Sequence, residues 1–240
     1  MTDFSFQRKR TYYRQTTYEF NLPAGYACPF ADACKTKADR DTGKLVVKPV
    51  KSDDTYVCYA ARAERFPGVR DSRWRNFEAV REALANGDVP FSIPKRATHV
   101  RIHGSGDFFN EAYFRAWCDT ARANPDVTFW AFTKSIGYWA KNLDYVPTNL
   151  SLTASVGSSQ DALAAELGLK TATVYHRFSD VPEDVAIDTD DFEAQVAGAP
   201  SFALLENQSH PGWGATHAQV RAHNARAYAL QGREGTSPRV

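Results

Sequence analysis

From residue 95 onward the chain alternates two hydrophobic patterns. THVRIHGS places apolar and polar residues in turn, the two-residue period of a strand, and Asn110 to Ala123 sets Tyr113, Phe114, Trp117 and Ala121 on one helical face. The alternation repeats as VTFWAFTK (strand), SIGYWAKNL (short helix), NLSLTASVG (strand) and SQDALAAELG (helix closed by Gly168). TATVYHRF and then PSFALLEN read as further strands. Strands alternating with amphipathic helices predict an α/β fold with a parallel sheet and right-handed crossovers. About four such units follow residue 95, enough for a partial or compact barrel or an open sheet.

Upstream the pattern is weaker. Residues 1–27 are polar and aromatic without a clear period. Cys28 to Cys58 reads as an irregular loop with turn signals at Asp41-Thr42-Gly43, where a short hairpin is expected, and at Ser52-Asp53-Asp54. A loop of this length in a compact domain needs something to tie it down, and a metal at its base would serve. YAARAERF is helix-like and halted by Pro67-Gly68; SRWRNFEAVREALANGD predicts a second helix capped by Ser72 and ending near Gly87. GREGTSPRV reads as a frayed tail. The expected organisation is a single α/β domain over 1–240: an N-terminal cysteine-bearing metal-loop region (1–70), β/α repeats (71–230) and the tail (231–240).

A chain of 240 residues suits one such domain, and 43% hydrophobic with 24% charged residues is ordinary for a soluble enzyme. The net charge of +1 confines any nucleic-acid surface to a local patch. No apolar run reaches the roughly 20 residues of a membrane span, and MTDFSFQRKRTYYRQ lacks the apolar core of a secretory signal. The expectation is a cytoplasmic protein with no membrane partner.

Four cysteines in such a setting do not predict disulfides. Cys118 shares the apolar face of the helix after Asn110 and reads as a small buried hydrophobe. Cys28, Cys34 and Cys58 are crowded beside turn residues and are the candidate metal ligands. Three thiolates suit zinc with a fourth ligand from elsewhere, or a [4Fe–4S] cluster with one iron left open. Histidines 99, 103, 176, 210, 217 and 223 are the possible fourth ligands; the alternative is three unconnected core cysteines.

In VRIHGSGDFFNEAYFRAWC one acid, Asp107, sits on a glycine hinge where a strand hands over to a helix, the usual place for chemistry in α/β folds. It can serve chemistry or cap the helix, and the helix dipole would hold it ionised. Arg101, His103 and Ser105 share one side of the strand by the two-residue period, so that side should line a polar, substrate-binding cavity. Lys134, at the end of TFWAFTK, could hold a phosphate or carboxylate, or be a surface lysine. SRWRNF, with Arg73, Trp74 and Arg75, and RKRTYYR interleave cations with aromatics as nucleic-acid surfaces do, though solvated helices and termini look the same.

CPFADAC, ADRDTG, CYAARAERFPGVRDSRWRNF, VRIHGSGDFFNEAYFRAW, FWAFTKSIGYW and SFALLE, in this order over most of residues 21–206, resemble one family of small phage-encoded proteins. The three-cysteine motif ending in Cys-Tyr-Ala is similar to a wider phage set resembling radical S-adenosylmethionine barrels. A more distant similarity is to transglycosylases that exchange guanine for a 7-deazaguanine base in tRNA or phage DNA. That similarity implies a (β/α) barrel, zinc on three cysteines and a histidine, and carboxylates at strand ends. The cysteines here precede the β/α repeats instead of following them, and the chain is short for eight units.

Base exchange needs a carboxylate nucleophile at the sugar C1′ and a second acid to shuttle protons. Asp107 is the first candidate; Asp190 and Asp191, clustered with Asp188, and Glu206 are candidates for the second, with a solvated turn the simpler reading of the aspartate cluster. The leading expectation is thus a phage DNA guanine transglycosylase acting on double-stranded DNA and a 7-deazaguanine base with zinc bound. The alternatives are a radical enzyme using a [4Fe–4S] cluster and S-adenosylmethionine on a nucleotide or nucleic acid, and a non-catalytic, metal-stapled nucleic-acid-binding protein.

Overall fold

The computed structural model describes residues 4–8, 15–32, 34, 36–47, 58–87, 91–206 and 215–233. In chain order its elements are β1 (Phe6–Arg8), β2 (Thr17–Phe20), β3 (Thr36–Ala38), β4 (Leu45–Val47), α1 (Tyr59–Ala63) and α2 (Pro67–Asn86). Then come β5 (His99–Ile102), α3 (Glu111–Ala123), β6 (Thr128–Thr133), α4 (Ile136–Ala140), β7 (Leu150–Ser155) and α5 (Asp161–Glu166). The chain continues through β8 (Thr171–Tyr175), α6 (Phe192–Gln195), β9 (Phe202–Leu205) and α7 (His217–Leu230).

Seven strands form one sheet in the order β1-β2-β5-β6-β7-β8-β9, and β3 pairs with β4 apart from it. Every neighbouring pair from β2 to β9 is parallel; only β1 runs antiparallel, on the edge. The parallel strands follow one another in chain order, so each crossover steps the same way. Right-handed crossovers that always step the same way stack their helices on one face and leave the other concave. The sheet does not close: this is a partial barrel.

Alternation along the strands assigns the faces. Val100 and Ile102, Phe129 and Ala131, Leu150 and Leu152 pack with Tyr113, Phe114, Trp117 and Ala121 of α3 in one apolar cluster. Fully burying each large side chain contributes about 1.5–3 kcal/mol. The opposite face carries Glu19, Arg101, Trp130 and Ser151 in one row across β2, β5, β6 and β7, with Phe132 and Thr153 in the next. Part of that concave face is covered by α6, whose Ala194 packs with Trp130, Ala172 and Phe202. The Ser151 hydroxyl donates to the Ala194 carbonyl at 2.6 Å.

The strands and helices expected after residue 95 are present, and the Asp41-Thr42-Gly43 turn lies between β3 and β4. Three upstream and downstream readings change. The unpatterned first residues supply β1 and β2, and β2 is the first parallel strand, so the N-terminal region is built into the sheet. Ser72 is not a cap: α2 begins at Pro67, a residue suited to the first helical position because the N–H it lacks has no partner there. Gly87 does end α2, with φ 76°. The third is α7, which was not foreseen; it buries Val220, Asn224, Ala227 and Tyr228 and starts with a Thr216–Gln219 capping box. Most of RKRTYYR, the Ser52-Asp53-Asp54 turn, His210 and residues 234–240 lie outside the described residues.

Candidate functional site

The glycine hinge closes the end of β5. His103 turns with φ 66° and Gly106 with φ 86°, which ends the strand period after Ile102. The hinge is closely packed: a Cβ on Gly104 would lie 2.2 Å from the Glu19 carboxylate, and one on Gly106 would lie 2.6 Å from Leu22 Cβ. Asp107 is buried. Its Oδ1 accepts from Thr133 Oγ1 at 2.6 Å and Phe108 N at 2.7 Å, and its Oδ2 accepts from Lys134 N at 2.7 Å. The carboxylate thus bolts the end of β5 to the end of β6. It is not the helix cap, which is Asn110, whose side chain accepts from Tyr113 N at 2.8 Å. Burial outweighs these donors and pushes its carboxyl up to about 6, where a helix dipole alone would have held it low.

Of the residues expected to line one cavity, Arg101 alone reaches the concave face. Its Nη1 donates to Asp191 Oδ2 at 3.0 Å, and its Nε stands 4.0 Å from Glu19 Oε2. The left-handed turn at His103 swings that side chain into the core, where its Nε2 is hydrogen-bonded to the Tyr113 hydroxyl at 2.9 Å and its ring packs on Phe108. Burial lowers the imidazole to about 3. Ser105 is buried and donates to the Leu22 carbonyl at 2.9 Å. The Lys134 ammonium is no surface group: it donates to Ser155 O, Ser155 Oγ and Val156 O, stitching the ends of β6 and β7.

The end of the cysteine segment meets this hinge. Tyr59, directly after Cys58, donates its hydroxyl to Gly104 O at 3.0 Å. Cys28 lies within electrostatic reach of Asp107, Cys58 and Cys34, and Cys34 shares a hydrogen bond with Cys58. That hydrogen bond, with the N–H groups of Ala61 and Ala60, holds the Cys58 thiol below the usual range, while burial pushes Cys28 up. Beneath the loop, buried Glu64 accepts from Ala24 N and from Arg73 Nη1, both at 2.8 Å. Tyr59, Glu64 and Glu19 were not singled out in the sequence; their positions depend on contacts made across the fold. Among the described residues no group of three or more His, Cys, Asp and Glu side chains is arranged to hold a metal ion.

The remaining acids divide by role. Asp188 is buried and accepts from the N–H groups of Asp190, Phe192 and Ala194, which fixes the start of α6. Lys170 holds the other end through the carbonyls of Glu193, Ala194 and Val196. Asp191 adopts φ 63° and pairs with Arg101, while Asp190 stands beside it and accepts from Phe192 N at 3.2 Å. Glu206, just past β9, is hydrogen-bonded to His176 Nδ1, just past β8.

The expected nucleic-acid surface separates into unlike parts. Arg73 is buried and committed to Glu64 and the Ala60 carbonyl, because its helix face turns toward the cysteine loop. Trp74 packs against Tyr26 and Phe77 beneath the guanidinium of Arg40. Only Arg75 of the three is exposed. Among the described residues no helix is long and apolar enough to cross a membrane.

The family model described as Gene product 88 matches residues 4–229, and the chain belongs to that family. Over 91 residues it is 35% identical to the Gene 88 protein of Mycobacterium phage L5 and 33% identical to that of Mycobacterium phage D29. Each alignment covers 32% of this chain, which thereby spans 38% of the relative's length. No solved structure matches the chain.

Proposed function

With membership of the Gene product 88 family as the premise, we propose that this chain is an iron–sulfur enzyme whose cluster is held by Cys28, Cys34 and Cys58. The observation that carries this reading is the contact between the end of the cysteine segment and the glycine hinge: Tyr59, next to Cys58, bonds Gly104, and Cys28 lies within electrostatic reach of Asp107. In this reading the three cysteines would offer soft donors beside the carboxyl end of β5, where α/β folds keep their chemistry. The residue types suit the group, since three thiolates would leave one iron of a [4Fe–4S] cluster open.

A [4Fe–4S] cluster held by Cys28, Cys34 and Cys58 would supply reductive, radical-initiating chemistry on S-adenosylmethionine. The chain's own residues do the positioning. Glu64 and Arg73 hold the base of the loop, Asp107 fixes the hinge, and Arg101 with Glu19 and Asp191 forms the polar floor on the concave face. Anaerobic loading with ferrous iron and sulfide, against loading with zinc, tests the reading. A brown protein with about four irons per chain that yields 5′-deoxyadenosine on reduction is expected; colourless zinc binding alone would overturn it.

Base exchange on DNA is the second reading, with zinc on the same cysteines. The His176–Glu206 pair at two adjacent strand ends favours it, as an imidazole oriented by a carboxylate suits proton transfer. In it Asp190, Asp191 or Glu206 would carry the acid chemistry, because both oxygens of Asp107 are engaged by donors. Mass spectrometry of nucleosides from the parent phage's DNA, with and without this gene, tests that reading.

A further inference from the structure

We infer that the outer face of α1 and of the turn after it is a binding stripe for a single strand of nucleic acid. Helical hydrogen bonds continue past α1 as far as Phe66: Arg62 N donates to Cys58 O, Glu64 N to Ala61 O, Arg65 N to Arg62 O and Phe66 N to Ala63 O. At this spacing Ala60, Ala61 and Glu64 share one side, and all three are buried, the two alanines in a cluster with Ala24. The opposite side carries Tyr59, Arg62 and Phe66, with Arg65 at its border, and all four are exposed. The usual distribution is reversed: small side chains go inside and large rings stay out. Tyr59 is 59% exposed and Phe66 55%, and among the described residues no other aromatic side chain is exposed. Both are held in place. The Tyr59 hydroxyl is tied to Gly104 O, and the Phe66 carbonyl accepts from Arg70 N.

The cations between the rings select the ligand. Neither Arg62 nor Arg65 forms an ion pair among the described residues, and the Arg65 guanidinium lies over the Phe66 ring, 4.8 Å from its centroid. An apolar partner would leave two guanidiniums uncompensated, and a simple anion would leave two rings in water. A polymer that alternates flat bases with phosphates uses both: bases stack on Tyr59, Phe66 and the guanidinium planes, while phosphates meet Arg62 and Arg65. A duplex keeps its base faces stacked inside, so the matching ligand is an unpaired strand. Seven residues of helix span about 10 Å, on the order of three nucleotides of a stacked strand at ~3.4 Å each. The stripe starts beside Cys58 and at the hinge that ends β5, so a strand lying along it passes the proposed site. Rings and guanidiniums accept any base on their faces, so binding should be indifferent to sequence.

Calling this strand the substrate rests on the iron–sulfur reading, but the binding does not. Fluorescence anisotropy of a short labelled oligothymidylate, titrated with the purified chain without metal over a range of salt, tests it. The oligomer should bind saturably, and a duplex of the same length roughly tenfold or more weakly. Phe66→Ala should weaken binding roughly tenfold and leave the salt dependence unchanged. Arg62→Gln should weaken binding and lower the slope of log affinity against log salt by about 0.7, the share of one phosphate contact on a single strand. Tyr59→Phe keeps the ring and should bind as the unaltered chain does. Phe66→Ala should not lower the melting temperature, because the ring is largely in solvent. No saturable binding, equal affinity for the duplex, or unchanged affinity in both Phe66→Ala and Arg62→Gln would overturn the stripe. A concentration-dependent dimer that Phe66→Ala abolishes would overturn it too, in favour of a second copy of this chain. A chain that binds the oligomer but takes up no cluster would remove the iron–sulfur reading and leave this one standing.

Discussion

The hydroxyl of Tyr59 donates to the carbonyl of Gly104 at 3.0 Å, tying the residue after the third clustered cysteine to the hinge that ends β5. The two positions are 45 residues apart, and their contact brings the end of the cysteine segment to the carboxyl end of β5. Tyr59→Phe removes that hydrogen bond and little else. Stability should fall by about 1 kcal/mol, while bound iron should be released to a chelator several-fold faster than from the unaltered protein. Denaturant titration and timed chelation measure the two effects.

The hinge glycines should differ in tolerance. At Gly104 the obstacle is the Glu19 carboxylate, the far end of a flexible side chain. At Gly106 it is Leu22 Cβ, with the Leu22 carbonyl at 3.2 Å, and φ is 86°. Gly106→Ala should therefore cost about 2–4 kcal/mol from strain and overpacking together, and Gly104→Ala clearly less. Comparing their unfolding midpoints with the unaltered chain checks the order.

Arg73 and Glu64 form an ion pair with side-chain exposures of 11% and 0%. Arg73→Met leaves Glu64 buried and short of a partner, so the loss should be about 3–5 kcal/mol. Arg75→Met, one residue along and exposed, should stay within about 0.5 kcal/mol. Equal effects would mean that Arg73 is not a structural residue.

This contrast shows how far the sequence was legible. The strands after residue 95 and the α3 face were readable because each element repeats its own period. SRWRNF looked uniformly surface-like, yet the helix turns Arg73 inward toward Glu64, a partner chosen by tertiary packing. Arg101 and His103 obeyed the strand period only until the left-handed turn at His103, and no local pattern announces that turn at a residue other than glycine or asparagine. β2 is short, and the buried face of α7 includes the polar Asn224, so neither presents a strong apolar period.

Asp188 gives the pH dependence a sign. Burial first, and then neighbouring Asp191, pushes its carboxyl up to about 7. The folded chain then holds this proton to higher pH than the unfolded chain, whose aspartates titrate near about 4. Its contribution is fully present below about pH 4 and is lost as the pH rises toward about 7, by up to about 4 kcal/mol. Asp107, pushed up to about 6, acts in the same direction over a narrower window. Unfolding free energy should fall across this range in the unaltered protein and fall clearly less in Asp188→Asn.

The central claim is that three cysteines share one iron–sulfur cluster, and metal and sulfide analysis of the four single Cys→Ser variants after anaerobic loading tests it most directly. Cys118 is buried in the apolar cluster on the α3 side of the sheet. Cys118→Ser should keep the iron, sulfide and visible absorbance of the unaltered protein. Cys28→Ser, Cys34→Ser and Cys58→Ser should each lose most of all three. Full iron and sulfide in any one of those three variants, or equal losses in all four, would contradict the shared site.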